Sequence, residues 1–115
     1  MMQNKLRIAV IAPGLFPETK TISGTLESMQ KIVEGNIEVT RDDRLPGMLI
    51  VCNDEGKINS LRMNRKIFTN GYPDYIMGTF FVCADGGDDF ISLTDKQIET
   101  VRKRFRVPFK KEKAH

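Results

Sequence analysis

Tryptophan is absent from this 115-residue chain, and histidine occurs once, as the terminal His115. A catalytic cysteine needs a histidine beside it in space, and neither Cys52 nor Cys83 has one to call on. Each closes an apolar, strand-like run, so both read as buried thiols behaving as small core residues. A glycosidase cleft has aromatic walls, and no spacing singles out a carboxylate pair, so a small hydrolase is the last of the readings. No apolar run approaches the roughly 20 residues of a membrane-spanning helix, which argues against membrane partners. Met1–Arg7 leads directly into a strand-like run without the features of a secretory signal, and a cytoplasmic protein is expected. No glycine pattern matches a phosphate loop or dinucleotide fingerprint. Asp85-Gly-Gly-Asp88-Asp89 lacks calcium-loop spacing and reads as a solvated turn. No catalytic residue, metal or cofactor is expected.

Forty per cent of the residues are apolar and 29% charged, in keeping with one globular domain. The net charge of +3 conceals a division. Residues 101–115 hold seven basic side chains against Glu112, which leaves 11 basic and 14 acidic residues in 1–100. An acidic body of −3 therefore carries a tail of +6, and the expected organisation is a domain over 1–106 with a basic tail over 107–115.

The pattern predicts α+β architecture. Leu6–Ala12 and Met48–Cys52 read as buried strands, Ile76–Ala84 as a third, and Lys20–Ile22 as a short edge strand. A helix is predicted over about 25–34, with Leu26, Met29 and Val33 inward and Gly35 as its left-handed cap. A strand over 36–41 follows, with Asn53–Gly56 as a tight turn. Residues 57–75 show no period of their own, and Thr69–Asp74 is loop by composition. Phe90–Leu93 pairs back as a short strand. The last helix, 94–105, carries a Thr94/Gln97 capping box and an inward stripe of Ile98, Val101 and Phe105, with Pro108 beyond it. A two-layer fold is expected, with four or five strands and both helices on one sheet face. Phe80, Phe81, Ile91 and Tyr75 then exceed what one layer hides, which predicts a homo-oligomer.

Two sets of residues are candidates for recognition. Arg62, Asn64 and Arg65 combine a donor–acceptor amide with planar guanidinium forks suited to an anion or partner. Arg104, Arg106, Lys110 and Lys111 interleave with Phe105 and Phe109, a composition that suits phosphates and stacked bases.

Pro13-Gly14, the Thr25–Glu38 block, Cys52-Asn-Asp-Glu-Gly-Lys57, Asn64-Arg65, Gly78–Val82 and Phe90–Asp95 together resemble a domain-of-unknown-function family of small proteins. Its members occur mainly in phages, plasmids and conjugative elements of Gram-positive bacteria. Members commonly have a Leu-Pro-x-Asn-Arg step where this chain has Leu61-Arg-Met-Asn-Arg65, which predicts a different local turn. The resemblance transfers no activity. It implies an accessory gene of a mobile element acting in a bacterial host's cytoplasm. The leading expectation is a non-enzymatic binding protein that modulates or inhibits a host system, such as a defence system, through a host protein or nucleotide signal. The alternative is a nucleic-acid-binding accessory protein using the basic tail.

Overall fold

The computed structural model describes residues 5–108. Its main sheet is antiparallel throughout, with strand order β2-β1-β7-β4-β3 and β8 on the end of β7. These strands are β1 (Lys5–Ile11), β2 (Glu18–Ser23), β3 (Ile37–Thr40), β4 (Met48–Asn53), β7 (Phe80–Asp85) and β8 (Phe90–Ile91). A separate hairpin joins β5 (Met63–Thr69) to β6 (Tyr72–Met77). The helices are α1 (Leu26–Val33) and α2 (Asp95–Arg104). No helix among the described residues is long and apolar enough to cross a membrane.

The α+β class is as predicted, but the layers differ. All six residues of β4 are buried, which a sheet covered on one face does not allow. Leu49 and Val51 join Phe81 and Cys83 in a core closed by Met29 and Val33 of α1. Met48, Ile50 and Cys52 join Phe80, Val82 and Ala84 in a second core. That one is closed by Ile98 and Val101 of α2, Phe105 just beyond it, and Ile67 and Ile76 of the hairpin. The two helices therefore lie on opposite faces, and the six-stranded sheet plus hairpin exceeds the four or five strands expected. Phe80 and Phe81 are both fully buried, one on each face, so they supply no argument for oligomerisation. Phe80 meets Phe105 edge-to-face at 5.4 Å, an arrangement worth about 0.5–1.5 kcal/mol beyond area.

The predicted strand over 76–84 is two strands. Gly78 sits at φ +80°, where the chain leaves the hairpin and enters the main sheet. A β-carbon there would come within 2.8 Å of the Leu61 side chain, so both conformation and space demand glycine. The predicted loop at 69–74 is instead the hairpin tip. Asn70 and Gly71 take φ +52° and +82°, the two positive angles of a type I′ turn. The Asp43 carboxylate accepts from both of their amides, at 3.0 and 2.7 Å.

Both helices begin at a threonine cap, of which Thr94 is the one predicted. Thr25 Oγ1 accepts from Ser28 N, and Thr94 and Gln97 form the reciprocal capping box. Leu26, in the first turn of α1, is 49% exposed and does not join the inward stripe. At the other end of α1, Glu34 rather than Gly35 adopts the left-handed conformation. Gly35 is needed for space, because a β-carbon there would lie 2.6 Å from Asn53 Nδ2. That amide donates to the Val33 and Glu34 carbonyls at 3.1 and 3.3 Å, so β4 itself caps the helix.

Candidate functional site

Asn64 and Arg65 follow Met63 in β5 and are 1% and 3% exposed. The Asn64 amide nitrogen donates to the carbonyls of Ile11 and Gly78, each at 2.8 Å. Its oxygen accepts from Arg65 Nη1 at 2.8 Å. The guanidinium reaches further. Nε and Nη2 both donate to Phe105 O, Nη2 also to Leu15 O at 2.6 Å, and Nη1 also to Asn64 O. These contacts use all five guanidinium N–H groups. Burial lowers the Arg65 pKa from its ordinary value. None of these partners is a carboxylate, so the cation is solvated by carbonyl oxygens of the protein. Its geometry is that of a clamp joining the β1–β2 loop, the hairpin and the end of α2. Arg62 stays exposed, with its guanidinium against Gly14 in that same loop.

Arg104 is likewise engaged within the fold. Its Nε and Nη2 meet the Asp42 carboxylate at 2.7 and 3.3 Å, and Nη2 also donates to Lys66 O. Asp42 is buried and accepts from Phe68 N as well, so the pair ties α2 to the β3–β4 loop and the hairpin. Arg106 lies exposed just past the helix, and Lys110 and Lys111 fall outside the described residues.

A groove of about 450 Å³ runs between the β1–β2 loop and the outer side of α2. Phe16 and Pro17 form one wall, and Glu99, Arg102, Lys103 and Arg106 the other. Phe16 is 70% exposed, an unusual position for a phenylalanine. Lys103 is held weakly by Glu99 at 3.9 Å. Among the described residues, no carboxylate pairs with Arg102 or Arg106. The groove therefore offers two guanidinium forks that no carboxylate among the described residues engages, a third cation and an aromatic face. The charge pattern singled out Arg106, but Arg102, Lys103 and Phe16 were not among the candidates. An apolar ring between Gly14 and Pro17, in a loop that cannot bury it, was the available signal.

A second cavity, of about 320 Å³, opens between the β3–β4 edge and β6. Cys52 lies at its floor, with Sγ donating to Glu38 O at 3.6 Å. Burial, with Glu38 and Asp74 adding to it, pushes this thiol up to about 12. Burial and Asp85 do the same for Cys83. Both thiols are therefore protonated at neutral pH and poor nucleophiles. Lys57 Nζ bridges to Asp74 Oδ1 at 2.7 Å, and that bond chiefly raises the lysine's pKa. Among the described residues, no group of three or more His, Cys, Asp or Glu side chains is arranged to hold a metal ion.

No curated protein and no solved structure matches the chain. A family model does match, and it spans residues 6–106, from the first core strand to the end of the groove. By that match the chain belongs to the DUF3846 family, a domain of unknown function.

Proposed function

We propose that this protein is a non-enzymatic accessory factor of a phage or other mobile element. In this reading it acts in the bacterial host's cytoplasm and modulates a host system, such as a defence system, by occupying a nucleotide-bearing ligand. The ligand lies in the groove between the β1–β2 loop and α2. The observation that carries the reading is the pairing of Arg102 and Arg106, unengaged by any carboxylate among the described residues, with the exposed Phe16 ring across the groove. Guanidinium forks match phosphate oxygens, and a base stacked on an aromatic ring gains about 1–3 kcal/mol. Arg65 supports the reading indirectly, because its bonds to Leu15 and Phe105 fix the two walls relative to each other. Occupancy needs a surface and no reacting group.

A free nucleotide signal and a single-stranded nucleic acid share this chemistry of base and phosphate. Fluorescence anisotropy with a labelled nucleoside triphosphate, single-stranded DNA and RNA, and duplex DNA separates them. The expected result is micromolar or tighter binding of one single-stranded or nucleotide probe, weakened by added salt as counterion release requires. Phe16→Ala should weaken it, and Arg102→Ala with Arg106→Ala should weaken it about tenfold or more. Equal binding of duplex and single strands would remove the stacking role. Binding abolished by deleting 107–115 but untouched by the Arg102/Arg106 change would move the site to the tail.

A further inference from the structure

Among the described residues the main sheet has two open edges, and they are unequally protected. β2 places Lys20 in the middle of a polar strand, the usual guard against unwanted pairing. β3, at the opposite end of the strand order, is Ile-Glu-Val-Thr with no lysine, and Val39 is 43% exposed. The register gives this edge two chemically different sides. Glu38 lies opposite Cys52, and both face the cavity beneath the edge, as does Thr40. Ile37 packs towards the α1 core, and Val39, two residues on, shares its face.

We propose that the β3 edge is a docking strand for an extended basic segment of a partner protein, whose alternate Lys or Arg side chains enter the cavity beneath. The charge around that cavity identifies the occupant. Glu38, Asp54 and Asp74 stand against one ammonium, Lys57, which Asp74 already holds at 2.7 Å. Glu38 and Asp54 have no ion-pair partner among the described residues, and all three carboxylates act electrostatically on the one Cys52 thiol at the floor. Tyr75, Ile76 and Met77 of β6 wall the space with apolar surface on which a lysine or arginine stem packs below its charge. Main-chain bonds to an edge supply affinity in such strand addition, and alternate pockets supply specificity. The segment is therefore basic at every second position and apolar between, with its apolar residues on Val39. This surface is independent of the groove at α2.

The test uses the full chain, uniformly labelled with nitrogen-15, and two peptides of the same composition. One alternates lysine and valine, and the other blocks the lysines together. The alternating peptide should bind about tenfold tighter, shift the amides of Ile37–Thr40, and lose its advantage in Glu38→Lys and in Val39→Lys. Both side chains are exposed, so the folded spectrum should persist in these variants. Equal binding of the two peptides, or shifts confined to other strands, would overturn the proposal by reducing the effect to net charge. A concentration-dependent doubling of molar mass that Val39→Lys abolishes, without any peptide effect, would overturn it in favour of a second copy on the same edge.

Discussion

Phe105 separates two arginine-bearing regions of this molecule. On one side, Arg65 points inward and gives every N–H to a carbonyl or amide oxygen of the chain itself, two of the bonds to Phe105 O. On the other, Arg102 and Arg106 stand in the open groove with no carboxylate partner among the described residues. The same side chain acts as a structural clamp in one place and stands without a carboxylate partner among the described residues in the other. The difference lies in what surrounds it. A cation is buried only where the fold supplies enough oxygens, and it is available to a ligand only where the fold supplies none.

That contrast is broken most severely at groups committed to the fold. Asp42→Ala leaves Arg104 beside buried backbone with its counter-ion gone, and should cost about 3–5 kcal/mol in a urea unfolding curve. Arg65→Met removes the clamp and strands the Leu15 and Phe105 carbonyls, for a loss on the order of 3 kcal/mol. Asn64→Ala with Arg65→Ala therefore probes folding, and any loss of ligand in that variant follows from loss of the groove walls.

The thiols sharpen the same distinction through pH. Their folded pKa values stand at about 12 against an ordinary 9.0. The unfolded chain therefore releases these protons first. The stabilisation is complete below pH 9.0 and is lost as pH rises from there towards about 12. Each thiol should contribute a loss of about 1 kcal/mol over the first unit above 9.0. Replacing both by alanine should flatten the fall in melting temperature between about pH 8 and about pH 10.5. A thiol reagent should label neither cysteine until denaturant is added. At the small end, Thr94→Ala should cost roughly 0.5–2 kcal/mol through the α2 cap, read from the shift in urea midpoint.

The legible parts of this fold were those governed by neighbouring residues. Thr94, Gln97, Ile98, Val101 and Phe105 lie within a few positions of one another, and their agreement identified α2 in the sequence. Asn70-Gly71 was equally local, and its two-residue turn signal was open to reading. The flanking strands concealed it, because β5 buries the charged Arg65 beside apolar Ile67 and so presents no alternation. The run from Ile76 to Ala84 concealed the Gly78 break for the opposite reason, being apolar on both sides of it.

Non-local features were not legible. The oxygens that hold Arg65 belong to Leu15, Asn64 and Phe105, two of them far along the chain, and nothing near residue 65 foretells them. The groove likewise joins Phe16 to Arg102 and Arg106 only after folding. Its basic wall showed in the charge distribution, while its aromatic wall did not. The helices were placed on one face because period alone does not say which side of a sheet a helix covers. The unbroken burial of β4 is the observation that decides it.

The central contrast is tested most directly by measuring stability and binding together on two variants. Arg102→Ala with Arg106→Ala touches exposed side chains and should shift stability by no more than about 0.5 kcal/mol. It should also cost about tenfold or more in affinity for the nucleotide-bearing probe proposed to fill the groove. Arg65→Met should do the reverse, with a large loss of stability and any binding defect following the unfolded fraction. Undiminished binding in the Arg102/Arg106 variant, or a loss of stability there comparable to that of Arg65→Met, would contradict the account.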